Sequence, residues 1–291
     1  MGQITDSLSV DIGEVVISEN RIAIPFSDAS RSIEIITKKQ IQDIRPTSVN
    51  ELLQAIGGVD IRQRGANGVQ ADLSIRGGTF EQALVLINGV KMLDPQTGHH
   101  LMNLPITIDD IERVEILKGP GARVYGQNAF AGAINIITRP GEEQSVALRL
   151  DAGANHLISA GASLTLPIRQ YRQTLSISHD QSDGYRSNTD YVIDNIFYQA
   201  QTTIGKGILD LFGGYTARSF GANGFYGSES FTDQYEETRT SIASASYSVR
   251  SGHWKIAPRI YWRRNTDNWQ FRRQRDQHLD DTCPGHIRYR S

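Results

Sequence analysis

Two adjacent histidines, four aspartates within fifteen residues, and two polar, turn-rich loops are the parts of this chain best suited to holding a ligand. The loops are "RQRGANGVQ" at residues 62–70 and "NGVKMLDPQTGHH" at residues 88–100. Between them they present Arg62, Gln63, Arg64, Asn67, Gln70, Asp94 and Gln96, whose guanidinium, amide and carboxylate groups can orient a bound molecule by hydrogen bonds. His99 and His100 would project apart in a strand, which disfavours chelation by the pair and leaves surface imidazoles as the expectation. Asp180, Asp183, Asp190 and Asp194 supply the oxygen ligands that calcium takes, so a structural calcium is the one metal to consider. Their spacing fits no fixed calcium loop, and a solvated acidic loop is the competing reading. "GPGARVYG" lacks both the dinucleotide glycine spacing and a following P-loop Lys-Ser/Thr. No Ser/His/Asp constellation or nucleophile elbow is visible, and no enzyme is expected. The single cysteine, Cys283, excludes a disulfide or a thiolate cage within the chain.

The elements that would position these residues fall into two kinds. The chain has 291 residues, 38% of them apolar and 21% charged, with a net charge of −2 and basic residues scattered along it. That is enough for two ordinary domains, and the scatter argues against a nucleic-acid partner. Residues 1–20 are polar apart from a β-prone patch, Glu14, Val15, Val16, Ile17 and Ser18, and form a flexible leader with no export signal. From residue 21 to about 140 the pattern is mixed. Strands are expected at 32–36, directly after Gly57-Gly58, and at 72–76, 83–88, 114–118 and 133–138, with a helix at 38–44 and a second helix capped by Thr47 or Ser48 and ended by Gly57-Gly58. A short helix is expected around Asp109 to Ile111.

From residue 141 to about 270 the period becomes two. Val146, Leu148 and Leu150 oppose Ala147, Arg149 and Asp151, and Trp254, Ile256, Ile260 and Trp262 oppose Lys255, Arg259 and Arg263. About seven strands of roughly eight to twelve residues follow one another, joined alternately by short turns and long polar loops. No run of about eighteen apolar residues is present, so a spanning helix is excluded while a membrane-spanning barrel is not. A soluble β-sandwich would alternate in the same way. Tyr198, Tyr215, Tyr247, Trp254, Tyr261 and Trp262, mostly near strand ends, favour an interfacial girdle and so the membrane reading. Residues 271–291 lose the pattern and fit no barrel strand.

The motifs "SIRGG", "VLINGV" and "IERVEILKGPGARVYGQNAFAGAINIIT", in that order, resemble the plug domain of TonB-dependent outer-membrane receptors, and the similarity spans about residues 14–138. The resemblance, closest in type to cobalamin and siderophore receptors, implies an α+β plug followed by an incomplete antiparallel transmembrane β-barrel in the bacterial outer membrane. Family barrels have about 22 strands, so some fifteen strands, on the order of 300 residues, are expected beyond Ser291. It implies that Glu14 to Ser18 is the TonB box, able to add as a strand to an edge of the TonB C-terminal domain. Arg76 and Lys118 stand where the family places basic residues facing the wall, although arginine is usual at the second position, and Glu236 or Glu237 would be their carboxylate partner. The loops carrying Arg62 to Gln70 and Asp94 to His100 would meet a corrinoid or ferric siderophore, delivered directly or through a surface lipoprotein. A passive docking protein for phage or colicin, and a soluble β-rich binding protein, are the competing functions.

Overall fold

The computed structural model describes residues 16–17, 24–25, 33–93, 98–227, 230–252, 254–273 and 286–290. At the start, β1 (Val16–Ile17) pairs antiparallel with β2 (Ile24–Pro25). Glu14, Val15 and Ser18 lie outside the described residues, as do Asp94 and Gln96.

The first module begins where β3 (Ile33–Thr37) turns directly into α1 (Lys38–Ile44). Thr37 and Gln40 exchange side-chain and backbone hydrogen bonds as a capping box, satisfying donors that a helix start leaves open. Arg45, in the left-handed region at φ 53°, ends the helix before Pro46. Helix α2 (Val49–Gln54) starts at Ser48, whose hydroxyl accepts from the Glu51 N–H at 3.2 Å. Of the two capping candidates, then, Ser48 makes the cap. Thr47 instead donates its N–H and hydroxyl to the Glu51 carboxylate, which these bonds hold below the usual carboxylate range.

Strands β4 (Val59–Arg64) and β5 (Gln70–Ile75) form a separate antiparallel pair. The main sheet uses β6 (Ala83–Ile87), β7 (Val90–Lys91), β8 (Ile111–Lys118) and β9 (Gly132–Thr138), in the order β3-β8-β9-β6-β7, with only β6 and β9 parallel. Every residue of β6 and of β9 is buried, which is why β6 reads as a continuous apolar run and β9 as one interrupted only by Asn135 before Thr138 ends it. Strand β7 was not expected. It returns through Asn88 and Gly89, both at positive φ, the backbone that a two-residue hairpin of this hand requires. The helix expected near residues 109–111 is a single 3-10 turn, Ile108–Asp110, and α3 (Ala122–Tyr125) adds one further turn.

The second module is one open antiparallel sheet in sequence order: β10 (Ser145–Gly153), β11 (Leu157–Thr165), β12 (Arg172–Ser182), β13 (Tyr191–Ile204), β14 (Gly207–Gly221) and β15 (Tyr235–Ser251). Strand β15 then pairs with both β16 (Trp254–Ile256) and β17 (Arg259–Gln270). The sequence pattern implied one strand there. Pro258 breaks it, having no N–H for the ladder, while its carbonyl accepts from the Tyr247 N–H at 3.1 Å. β18 (His286–Arg290) pairs with β17, which corrects the expectation that nothing in residues 271–291 fits a strand. A strand edge offers its backbone groups to any extended segment, so five residues suffice without a long alternating run.

The two faces of this sheet are reversed relative to a water-soluble sandwich. On the convex side Val146, Leu148 and Leu150 stand out, Leu148 with 80% of its surface exposed, joined by Ile177, Ile196, Ile260 and Trp262. On the concave side Thr174, Ser176, Ser178, Thr216, Thr238, Thr240 and Asn265 are buried, Thr240 completely. The first module fills that concavity, and its core of Leu52, Leu53, Leu73, Ile75, Val85 and Ile87 runs on into Phe197, Phe212 and Ile242 of the wall. Gly214 permits the approach, since a Cβ there would stand 3.0 Å from Pro105 and from Phe197. No described helix is long and apolar enough to cross a membrane, whereas the strands, nine to seventeen residues in β10 to β15, reach the length that a tilted spanning strand needs.

Candidate functional site

Strand register places three rows of wall side chains against the first module. Asp180, Ile193, Arg218, Thr238 and Asp267 are successive cross-strand partners, so they form one row. One step toward the long loops lies the row Ser182, Tyr191, Phe220, Glu236 and Trp269, and one step away the row Ser178, Asn195, Thr216, Thr240 and Asn265. Alternation makes all three rows face the same way. It also decides between the two glutamates. Glu236 is buried against the module, and Glu237 points to the other face, 4.0 Å from Arg239.

The module meets these rows with the turn between β4 and β5 and with residues 98–104. Arg218, buried between the wall and the first module, donates to the Gly68 carbonyl at 2.7 Å and reaches the Val69 and Leu104 carbonyls at 3.4 and 3.5 Å. Asn67 donates to the Tyr191 hydroxyl at 2.6 Å. Arg64 donates to the Phe225 carbonyl and pairs with Asp72 at 3.2 Å, with its guanidinium 5.9 Å from the Tyr226 ring centre. Gly65 sits at φ 85°, and an added Cβ would fall 2.8 Å from the Phe225 ring. Gly65→Ala should therefore strain the backbone and displace Phe225 together, costing more than about 1 kcal/mol. Faster proteolysis of the 65–69 turn in the folded protein would register it, and unchanged cleavage would count against this contact.

The histidines do diverge, but from a turn rather than a strand. His99 Nδ1 lies 3.0 Å from Asp72 Oδ1, its ring 4.6 Å from that of Phe80. Burial resists ionisation of Asp72, yet the His99 hydrogen bond and the Arg64 charge hold its carboxyl below the ordinary value. His100 is not a surface residue. It is 3% exposed, with Nε2 3.0 Å from Glu236 Oε1 and 3.3 Å from Asp267 Oδ2, and Glu236 also accepts from the Tyr226 hydroxyl at 2.5 Å. Burial opposes a charge on His100, but hydrogen bonds to Asp267 and Glu236 outweigh it and raise the imidazole to about 10. The wall covers this side chain, a fact that no local pattern contains.

The remaining expected residues scatter. Arg62 is exposed on β4, Gln63 donates to Gln54 at 3.3 Å, and buried Gln70 reaches Asp72 and the His99 carbonyl at 3.4 Å each. Arg76 is exposed at φ 50°. Lys118 pairs with Glu34 inside its own module, so the carboxylate Glu236 meets His100 rather than either basic residue. The four aspartates do not gather. Asp180 accepts from Ser159, Asp183 contacts His156, Asp190 holds Arg273 in a two-pronged pair, and Asp194 contacts His179 at 2.7 Å. Asp180 and Asp194 are on rows of opposite parity, hence on opposite faces of the sheet, and one calcium ion cannot bind both.

Arg218, Tyr191, Tyr226, Asp72 and Asp267 belong to the site and were not singled out from sequence. The signal for two of them was parity: Asp267 shares the strand face of Arg263, and Arg218 is a lone cation in an alternating strand. A cavity of about 540 Å³ lies beside this contact, lined in part by Lys38, Asn50, Asp109, Arg149, Asp180 and Arg218. Polar groups of both charges from both modules converge there.

The family model of the TonB-dependent Receptor Plug Domain matches residues 25–133. The chain is 34% identical over 152 residues to Vitamin B12 transporter BtuB of Vibrio vulnificus (strain CMCP6), covering 52% of this chain and 25% of that protein. To Vitamin B12 transporter BtuB of strain YJ016 it is 31% identical over 198 residues, 66% of this chain and 32% of that one. It therefore spans about a quarter to a third of the length of these curated relatives. Among solved structures it superposes on the ferric yersiniabactin uptake receptor FyuA from Yersinia pestis with a TM-score of 0.69 at 16% identity, covering 85% of this chain and 43% of that one. The siderophore receptor PiuA from Acinetobacter baumannii gives 0.69 at 16%, covering 88% and 40%.

Proposed function

We propose that this chain, whose residues 25–133 match the TonB-dependent receptor plug family and whose fold superposes on part of such receptors, is a plug packed inside part of an outer-membrane β-barrel wall and serves energised uptake of a large, scarce nutrient, a corrinoid or a ferric siderophore. The observation that carries the reading is the reversed wall: apolar side chains outward, polar ones inward against a plug whose apex is built from Arg64, Asn67, Gln70, Asp72 and His99. A soluble β-rich binding protein would hide the outward face, so that reading is set aside. The named activity of the sequence relatives favours a corrinoid over an iron chelate.

An outer membrane holds no nucleotide pool and no usable ion gradient, so uphill uptake must be driven from the inner membrane. Glu14 to Ser18 is the segment proposed to receive that force. Its Val16–Ile17 pair already forms strand hydrogen bonds with Ile24–Pro25 and can exchange that partner for an edge strand of TonB. Deleting residues 14–18 is expected to abolish accumulation of labelled cyanocobalamin by cells, leaving its binding to outer-membrane vesicles intact. Accumulation that survives the deletion would count against energised coupling through this segment, and the passive docking protein instead requires no accumulation by either form, with phage or colicin docking unchanged by the deletion. Failure to bind cyanocobalamin, with binding of a ferric siderophore, would move the substrate class.

A further inference from the structure

We propose that His100, Glu236 and Asp267 form a binding site for a divalent metal ion of the zinc type, which fastens the plug to strands β15 and β17 of the wall. The three side chains offer one imidazole nitrogen and two carboxylate oxygens, all within 4.8 Å of one another, and this is the only such group among the described residues. His100 Nε2 stands 3.0 and 3.3 Å from the two oxygens, close to the edge of roughly 3.3 Å expected between ligands of a tetrahedral ion bound at about 2.0–2.1 Å. One nitrogen with two oxygens is a donor set that suits zinc, leaving a fourth position for water.

Two further observations point to an ion. All three residues are almost fully buried, and Asp267 Oδ1 has no hydrogen-bond partner, so this carboxylate is not satisfied by the contacts of the cluster alone. The charges also suit a dication: two buried carboxylates share one imidazole, and a divalent ion bound to neutral imidazole balances both carboxylates once they are ionised. The Tyr226 hydroxyl, donating to the other oxygen of Glu236, holds that carboxylate in place as an outer partner.

The ligands come from both modules, so the ion would act as a clasp between plug and wall. The inference concerns metal content and stands apart from the transport reading, since it is measured with no nutrient present. The whole chain, folded in detergent, would be equilibrated with zinc, or with cobalt(II) for its visible absorption, then freed of excess and assayed for metal. Wild type and Glu237→Gln, altered on the opposite face of the same strand, should each retain about one equivalent with a tetrahedral cobalt spectrum. His100→Gln and Asp267→Asn should bind at least about tenfold more weakly. Folded wild type that retains no metal overturns the proposal whatever the variants do. Equal retention by wild type and His100→Gln also overturns it, because the ion then sits elsewhere.

Discussion

Ile196→Lys is expected to destabilise the protein in a lipid bilayer by about 2–4 kcal/mol, the cost of a lysine on the hydrocarbon-facing side of a barrel near mid-depth. Ile196 lies in an outward row with Ile177 and Tyr215, and 44% of its surface is exposed. In a soluble sheet an isoleucine so exposed could become lysine for no more than about 0.5 kcal/mol. The same change in a neighbouring row supplies the contrast. His179, paired with Asp194 on the same face one row nearer the long loops, already carries a polar side chain beside a carboxylate and should become lysine at a clearly smaller cost. Urea titrations of the protein in lipid vesicles would read both, and a small, equal effect at the two positions would remove the physical basis of the membrane assignment.

His100→Leu should be the most damaging single change inside the plug contact, about 3–5 kcal/mol, because it strips the common partner from two buried carboxylates. The cost is that of the stranded charges rather than of a lost contact. Adding Glu236→Gln to His100→Leu should therefore recover part of the stability, although it removes a second native group. The four proteins of this cycle, compared by denaturant midpoint and by protease cutting within residues 98–104, would show the sign of the coupling. A single substitution costing under about 1 kcal/mol, or a strictly additive double, would mean that the carboxylates are compensated by something other than His100.

Much of the architecture was legible because it rests on local stereochemistry. Strand side chains alternate whatever the chain folds against, so "SVALRLDAG" and its successors announced one apolar and one polar face from residue 145 onward. The helix at Lys38–Ile44 matched its expected ends, fixed by Thr37 and by Arg45 before Pro46. The turn at Asn88-Gly89 was visible from its dipeptide, whereas the strand after it was not, since a two-residue return is too short to show a period. Strand β18 escaped for a related reason, its pairing being supplied by the free edge of β17.

The candidate site divides along the same line. Sequence placed polar loops at residues 62–70 and 88–100, of which 62–64, 70 and 90–91 prove to be strand, and a carboxylate at 236 or 237. It could not match His100 with Glu236 and Asp267, or send Lys118 to Glu34, or separate Asp180 from Asp194. What the sequence by itself determined is which residues share a face and where the chain turns, because backbone geometry imposes these within a few residues. Only the tertiary structure decided which faces meet. Strand register sets the rows, the plug's insertion chooses which rows become buried, and the burial of His100 and Arg218 follows from contacts between segments more than a hundred residues apart.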